Sequence, residues 1–224
     1  MKEDLMKFSE ILYAAAKDLW EEAAEKPFVT AMADGTLDPA RFRFYMLQDY
    51  LYLLDYIDIL KSIRTYTQDP SLQAFLDRIV GQTEQETYRV HVPNMKEAGV
   101  SEEEIRTAVR ADVITAYVAY MRDQLTESGL MAGLTALLQC SWVYAYIGEK
   151  VSSAYGDQLQ HSPYSSWFDA YTCPEYIEAN QLWIDVLDRE AAGISPEESA
   201  RLCRIFRQCA VFEGQFWDAL YGKL

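Results

Sequence analysis

Apolar residues recur every three to four positions through almost the whole chain, and nowhere do they alternate singly as a half-buried strand requires. One stripe runs Phe42, Tyr45, Met46, Tyr52, Leu53, Tyr56 and Leu60; another runs Leu202, Ile205, Phe206, Cys209, Phe216, Trp217 and Leu220. A stripe of this period buries one face of a helix, so the chain is expected to fold as an all-α bundle. The segments predict helices over roughly residues 3–25, 39–66, 71–98, 102–126, 129–155, 162–190 and 196–221, about seven in all.

Local signals punctuate these segments. DGTLDP at Asp34 to Pro39 reads as a turn, with Asp38 as the cap and Pro39 at the first position of the next helix. SEEE from Ser101 is a capping box, and SPEE from Ser195 is another with proline at the first helical position. Pro163 and Pro174 divide or break the sixth segment, and Pro174 holds Cys173 out of the helical region.

The chain has 224 residues, half of them hydrophobic, enough for one sizeable core, and no stretch is rich enough in Pro, Gly or Ser to act as a linker. A single domain over residues 1–224 is therefore expected. The net charge of −15, from 35 acidic against 20 basic residues, disfavours nucleic acid and anionic membranes as partners. Small molecules and further copies of the chain remain.

The first twenty residues carry charge early and lack the apolar core and small-residue cleavage site of a secretory signal, which predicts a cytoplasmic protein. The most apolar run, Leu130 to Gly148, is short for a membrane span and contains Thr135, Gln139 and Ser141, so it reads as a buried core helix. Four cysteines, Cys140, Cys173, Cys203 and Cys209, show no CxxC spacing and are expected mostly as free thiols.

Two carboxylates interrupt the apolar stripes. Asp49 falls within the first and Glu213 completes the second, so both are expected to point inward. Burying an ionised carboxylate alone costs several kcal/mol, on the order of an effective ion desolvation, so each must be paired, protonated or lining a polar cavity. For either alone, a structural hydrogen bond to a neighbouring helix fits as well as a functional role.

Their neighbours narrow the choice. Asp49 has Tyr52 three residues on, Glu213 has Phe216 three on, and Cys140 has Tyr144 four on; Tyr117 and Tyr171 are further candidates among 16 tyrosines. Inward phenols offer a flat face and a hydrogen-bonding tip, a cage suited to a flat, polar heteroaromatic ligand. A mid-helix Cys140 is more often a small hydrophobe than a nucleophile, but two inward carboxylates could accept its proton and donate another. Of the two histidines, His91 sits near a helix end where solvent exposure is expected, and His161 stands alone.

In order along the chain, DGTL with RFRFYMLQDYLYL, then LLQCSWVYAYIGEK, then FEGQFWDALY resemble the thiaminase II (TenA) family at similar spacings. The resemblance covers nearly the whole chain. It implies a haem oxygenase-like all-α fold, a homotetramer, no metal or haem, and hydrolysis of aminopyrimidines in thiamin salvage. Carried over by position, Cys140 matches the family's nucleophile, Glu213 its catalytic acid, and Asp49 the carboxylate that grips the aminopyrimidine. Tyr52, Tyr117, Tyr144 and Tyr171 match tyrosines around the pocket, and Phe216 an aromatic that packs on the ring. A branch of the family lacks the central cysteine; this chain retains it.

Two rivals stand beside that reading. Glu84 and His91, seven residues apart and so on one helix face, suggest a di-iron oxidase, although only His161 remains to complete the ligand set. A pyrimidine-binding or regulatory bundle would keep the aromatic cage without turnover.

Overall fold

The computed structural model describes residues 6–222. Among these residues the regular structure is helical throughout: α1 (Phe8–Ala24), α2 (Pro27–Asp34), α3 (Pro39–Arg64), α4 (Pro70–Glu86), α5 (Val92–Glu97), α6 (Glu102–Thr107), α7 (Asp112–Ser128), α8 (Leu130–Tyr155), α9 (Ser165–Thr172), α10 (Pro174–Glu190) and α11 (Pro196–Gly222). A π-helical turn, Thr87–His91, joins α4 to α5, and a 3₁₀ turn, Gly156–His161, follows α8. The expected start of the first helix, at residue 3, lies outside the described residues.

Helix α8 is the axis of the molecule. It is apolar on nearly every side and packs against α1, α2, α3, α7, α9, α10 and α11. By length and composition this stretch could cross a membrane, but 67% of its most apolar window is buried within the fold, as a core helix requires. The long α3 and α11 both contact it, and both acid-bearing stripes face inward.

The caps work as their chemistry demands. Asp38 accepts from the Ala40 N–H ahead of α3; Ser101 and Glu104 close the box on α6; the Ser195 hydroxyl accepts from the Glu198 N–H at the start of α11. Cys173 is extended before Pro174, which divides the sixth segment into α9 and α10.

The count exceeds the expected seven, and each extra boundary has a cause. Residues 27–34 form a helix absent from the sequence reading; Pro27 opens α2, and Phe28, Val29, Met32 and Ala33 anchor it in the core. It closes at Gly35, φ +79°, where a Cβ would also meet the Pro163 ring at 3.2 Å. The expected helix 102–126 is interrupted at residues 108–111 without any proline or glycine there. Tertiary hydrogen bonds impose that break: the buried Gln48 side chain donates to the Val109 carbonyl at 3.0 Å and accepts from the Ala111 N–H at 2.7 Å.

The expected helix 71–98 runs through, but with one wide turn. Pro93 cannot donate to the carbonyl four residues back, and its ring would crowd that group. Widening the turn just before it relieves the clash, and the Val92 N–H reaches the Thr87 carbonyl instead.

Candidate active site

Five elements bring the candidate side chains to, or close beside, one cavity next to α8. From α3 come Asp49 and Tyr52, from α7 Tyr117, from α8 Cys140 and Tyr144, from α9 Tyr171, from α11 Glu213 and Phe216. The cavity holds about 240 Å³ of space between atoms, part of it open to solvent. Tyr52, Val113, Ile114, Tyr117, Tyr144, Glu213 and Phe216 line it.

Glu213 is 2% exposed and its Oε1 has no hydrogen-bond partner in the protein. Burial pushes its pKa up to about 7; the neighbouring Cys140 thiol and Tyr117 hydroxyl pull the other way, and the charge of Asp49 adds to the rise. Near neutral pH this carboxyl therefore both holds and releases a proton.

Burial likewise holds the Cys140 thiol well above its ordinary value, and the neighbouring Glu213 raises it further, while the Tyr52 hydroxyl offers a hydrogen bond that favours the thiolate. At rest the group is a neutral thiol. Tyr52 lies 3.9 Å from the Met121 sulphur and stacks on Tyr117 with ring centroids 5.6 Å apart; Tyr117 stacks in turn on Phe212 at 5.2 Å. The Tyr117 hydroxyl donates to Gln139 Oε1 at 3.1 Å. Burial keeps the phenols of Tyr52, Tyr117, Tyr144 and Tyr171 well above their ordinary range, so they act as neutral donors.

Asp49, 4% exposed, is paired. Its Oδ2 lies 2.6 Å from His91 Nε2 and accepts from the Tyr45 hydroxyl at 3.3 Å, which itself accepts from Trp167 Nε1 at 2.9 Å. The expectation of a solvated His91 is thus overturned: the residue is 5% exposed. The π-helical turn supplies the reason, since one added residue per turn rotates His91 from the outer face toward α3.

The same rotation undoes the pairing of Glu84 with His91 on one face. Glu84 lies at the surface and forms an ion pair with Lys61 at 2.7 Å. Among the described residues, no group of three or more His, Cys, Asp or Glu side chains converges as a metal-binding set.

Residues 13–223 match the sequence model of the TENA/THI-4/PQQC family. The chain belongs to this family. A TENA/THI-4/PQQC relative in Halalkalibacterium halodurans, named aminopyrimidine aminohydrolase, is 32% identical over 97% of each chain. A Helicobacter pylori protein of the same name is 26% identical over 96% of this chain and 99% of its own. A TenA homologue from P. horikoshii OT3 superimposes with a TM-score of 0.85 at 27% identity, covering 96% of this chain and 99% of that one. A domain with a heme oxygenase-like fold from Shewanella denitrificans OS217 superimposes with a TM-score of 0.75 at 14% identity, over 97% and 93% of the two chains, a likeness of fold alone.

The fold of this TenA-family chain thus brings together all eight residues singled out in the sequence. Sequence reasoning missed His91, Tyr45, Trp167 and Gln139, which hold the inner groups in place. Only His91 left a trace, in Pro93 two residues on: a proline inside a helical segment points to a distorted turn before it.

Proposed function

We propose that this chain is an aminopyrimidine aminohydrolase of the thiaminase II type, cleaving the C–N bond of 4-amino-5-aminomethyl-2-methylpyrimidine, with thiamin as a second candidate substrate, in thiamin salvage. One observation carries the reading: a buried acid poised near pH 7, Glu213, neighbours the partly buried thiol of Cys140 beside a cage of tyrosines. The names of the full-length relatives in H. halodurans and H. pylori support it.

The arrangement suits addition and elimination. Cys140 passes its proton to Glu213 and its sulphur adds to a ring carbon, while Glu213 delivers that proton to a ring nitrogen. The ring loses aromaticity, and its electrons expel the amino group from the exocyclic methylene; that group enters as its ammonium form and departs as ammonia. Water adds to that methylene and loses a proton to solvent, the C–S bond breaks and aromaticity returns, and the ring nitrogen gives its proton back through Glu213 to the departing thiolate. Asp49 accepts from the amino edge of the ring and holds it at attack distance, with Phe216 and the tyrosines against its faces. Tyr52 donates to the thiolate as charge develops there.

Under the same proposal the chain is a single domain over residues 1–224 that works in the cytoplasm on free small molecules, and it does so as the homotetramer that the family resemblance implies. Turnover in ¹⁸O-labelled water tests the chemistry. The expected product carries one ¹⁸O in its hydroxymethyl group; a product without label, or bound pyrimidine that is never cleaved, contradicts the mechanism.

A further inference from the structure

A carboxylate that grips an aminopyrimidine by its amino group and the adjacent ring nitrogen faces two possible edges. The neutral ring offers one donor and one lone pair, and that lone pair is set against a carboxylate oxygen. The ring protonated at that nitrogen offers two parallel N–H donors, the fork that a carboxylate accepts with both oxygens. Which edge fits depends on what stands behind Asp49.

His91 stands there, with Nε2 2.6 Å from Oδ2. The side chains of both residues are shut away from solvent, at 7% and 5% exposure. Tyr45 donates to the same oxygen. The other titratable groups around the pair are Tyr56 on α3, Glu86 at the end of α4, Tyr171 on α9 and Tyr176 on α10, with Cys140 and Glu213 across the cavity. Of all these, only His91 can carry positive charge. Burial works against its imidazolium, but the hydrogen bond and charge of Asp49, with Glu86 behind, outweigh burial and hold His91 above its ordinary value.

We propose that His91 is a positioning residue: it donates Nε2–H to Asp49 Oδ2, keeps that side chain an acceptor at both oxygens, and so makes the pocket select the aminopyrimidine in its ring-protonated form. The inference rests on the function proposed above. The proton comes from solution as the ring binds, and no bond but N–H forms in that step. A ring that already carries it accepts the Cys140 electron pair with less build-up of negative charge, and Glu213 then protonates the other ring nitrogen.

The test is ¹⁵N NMR of ring-labelled 4-amino-5-hydroxymethyl-2-methylpyrimidine bound to the parent, to His91→Gln and to His91→Phe, from pH 6 to 9. In the parent, the nitrogen beside the amino group should stay protonated to at least about one pH unit above the point where the unbound ligand releases its proton, a tenfold preference for that form. His91→Gln, which keeps a neutral donor, should lose part of that displacement. His91→Phe should lose all of it, with affinity down about ten- to a hundredfold. A parent-bound ring that releases its proton where the unbound ligand does overturns the proposal. So does a displacement that His91→Gln leaves unchanged, which keeps the test sound if the phenylalanine variant does not fold. Failure of the pyrimidine to bind the parent at all removes the functional reading as well; binding with a neutral ring removes only this inference.

Discussion

The Cys140 thiol on α8 and the buried Glu213 carboxyl on α11 are neighbours, and each alters the other's hold on its proton. The thiol eases ionisation of the acid, and the acid opposes ionisation of the thiol. The pair therefore shares one mobile proton near neutral pH, which is what a thiol addition coupled to ring protonation consumes.

The acid limb of kcat/KM should consequently lie near pH 7, because one proton must leave the pair before Cys140 can pass its own to Glu213. An unperturbed glutamate would place that limb well below pH 5. The residual rate of Glu213→Gln should lack the limb, and a pH–rate profile of each protein checks this.

Stability should follow the same group, with the opposite sign from most carboxylates. The folded chain keeps on Glu213, up to about pH 7, a proton that the unfolded chain releases near 4.5, so stability is lost as pH rises through that window. Between pH 5 and 8 the parent should lose about 3 kcal/mol relative to Glu213→Gln, at roughly 1.4 kcal/mol for each tenfold difference in proton affinity between the folded and unfolded chain. Denaturant unfolding of both proteins at the two pH values measures the difference.

Asp49→Asn should raise KM for the aminopyrimidine about ten- to a hundredfold, since an amide turns one acceptor into a donor facing the ring's own donor. His91 and Tyr45 would also lose the charge they bond to at Oδ2. Steady-state kinetics with a circular dichroism control for folding separates lost recognition from lost structure.

Gln48 supports the cavity from a distance. Its two bonds pin residues 109–111, immediately before Val113 and Ile114 of the cavity wall. Gln48→Ala should cost about 2 kcal/mol by leaving the buried Ala111 N–H unsatisfied. It should also speed amide exchange over residues 108–113 and raise KM more than it lowers kcat.

Gly148 marks where α8 and α9 touch. A Cβ there would lie 3.0 Å from Thr172 Cγ2 and 3.4 Å from Tyr171 Cβ. Gly148→Val should push α9 outward and cost about 1–3 kcal/mol by overpacking. Because α9 carries Tyr171 and Trp167, activity should fall with stability, which thermal unfolding and turnover measured together would show.

Helical periodicity and caps made most of this bundle legible in advance, since both are local. The inward direction of Asp49 and Glu213 followed from the stripe alone, and the eight candidate residues came from helical spacing and a family resemblance. What escaped depends on distant contacts. The break at residues 108–111 is made by a glutamine some sixty positions earlier in the chain. The burial of His91 depends on a π-helical turn that an ideal helical period cannot place, although Pro93 signalled a disturbance. Helix α2 is held chiefly by its core contacts, and eight residues are too few for helical periodicity to stand out.

The most direct measurement of the central claim is turnover of 4-amino-5-aminomethyl-2-methylpyrimidine by the purified protein beside Cys140→Ser, with affinity for the hydroxymethyl product measured on both. The account predicts hydroxymethylpyrimidine from the parent, at least about a thousandfold less from the serine variant as expected for a lost nucleophile, and affinities within about threefold of each other. Equal turnover by the two proteins, or none by a parent that binds the pyrimidine, would contradict it.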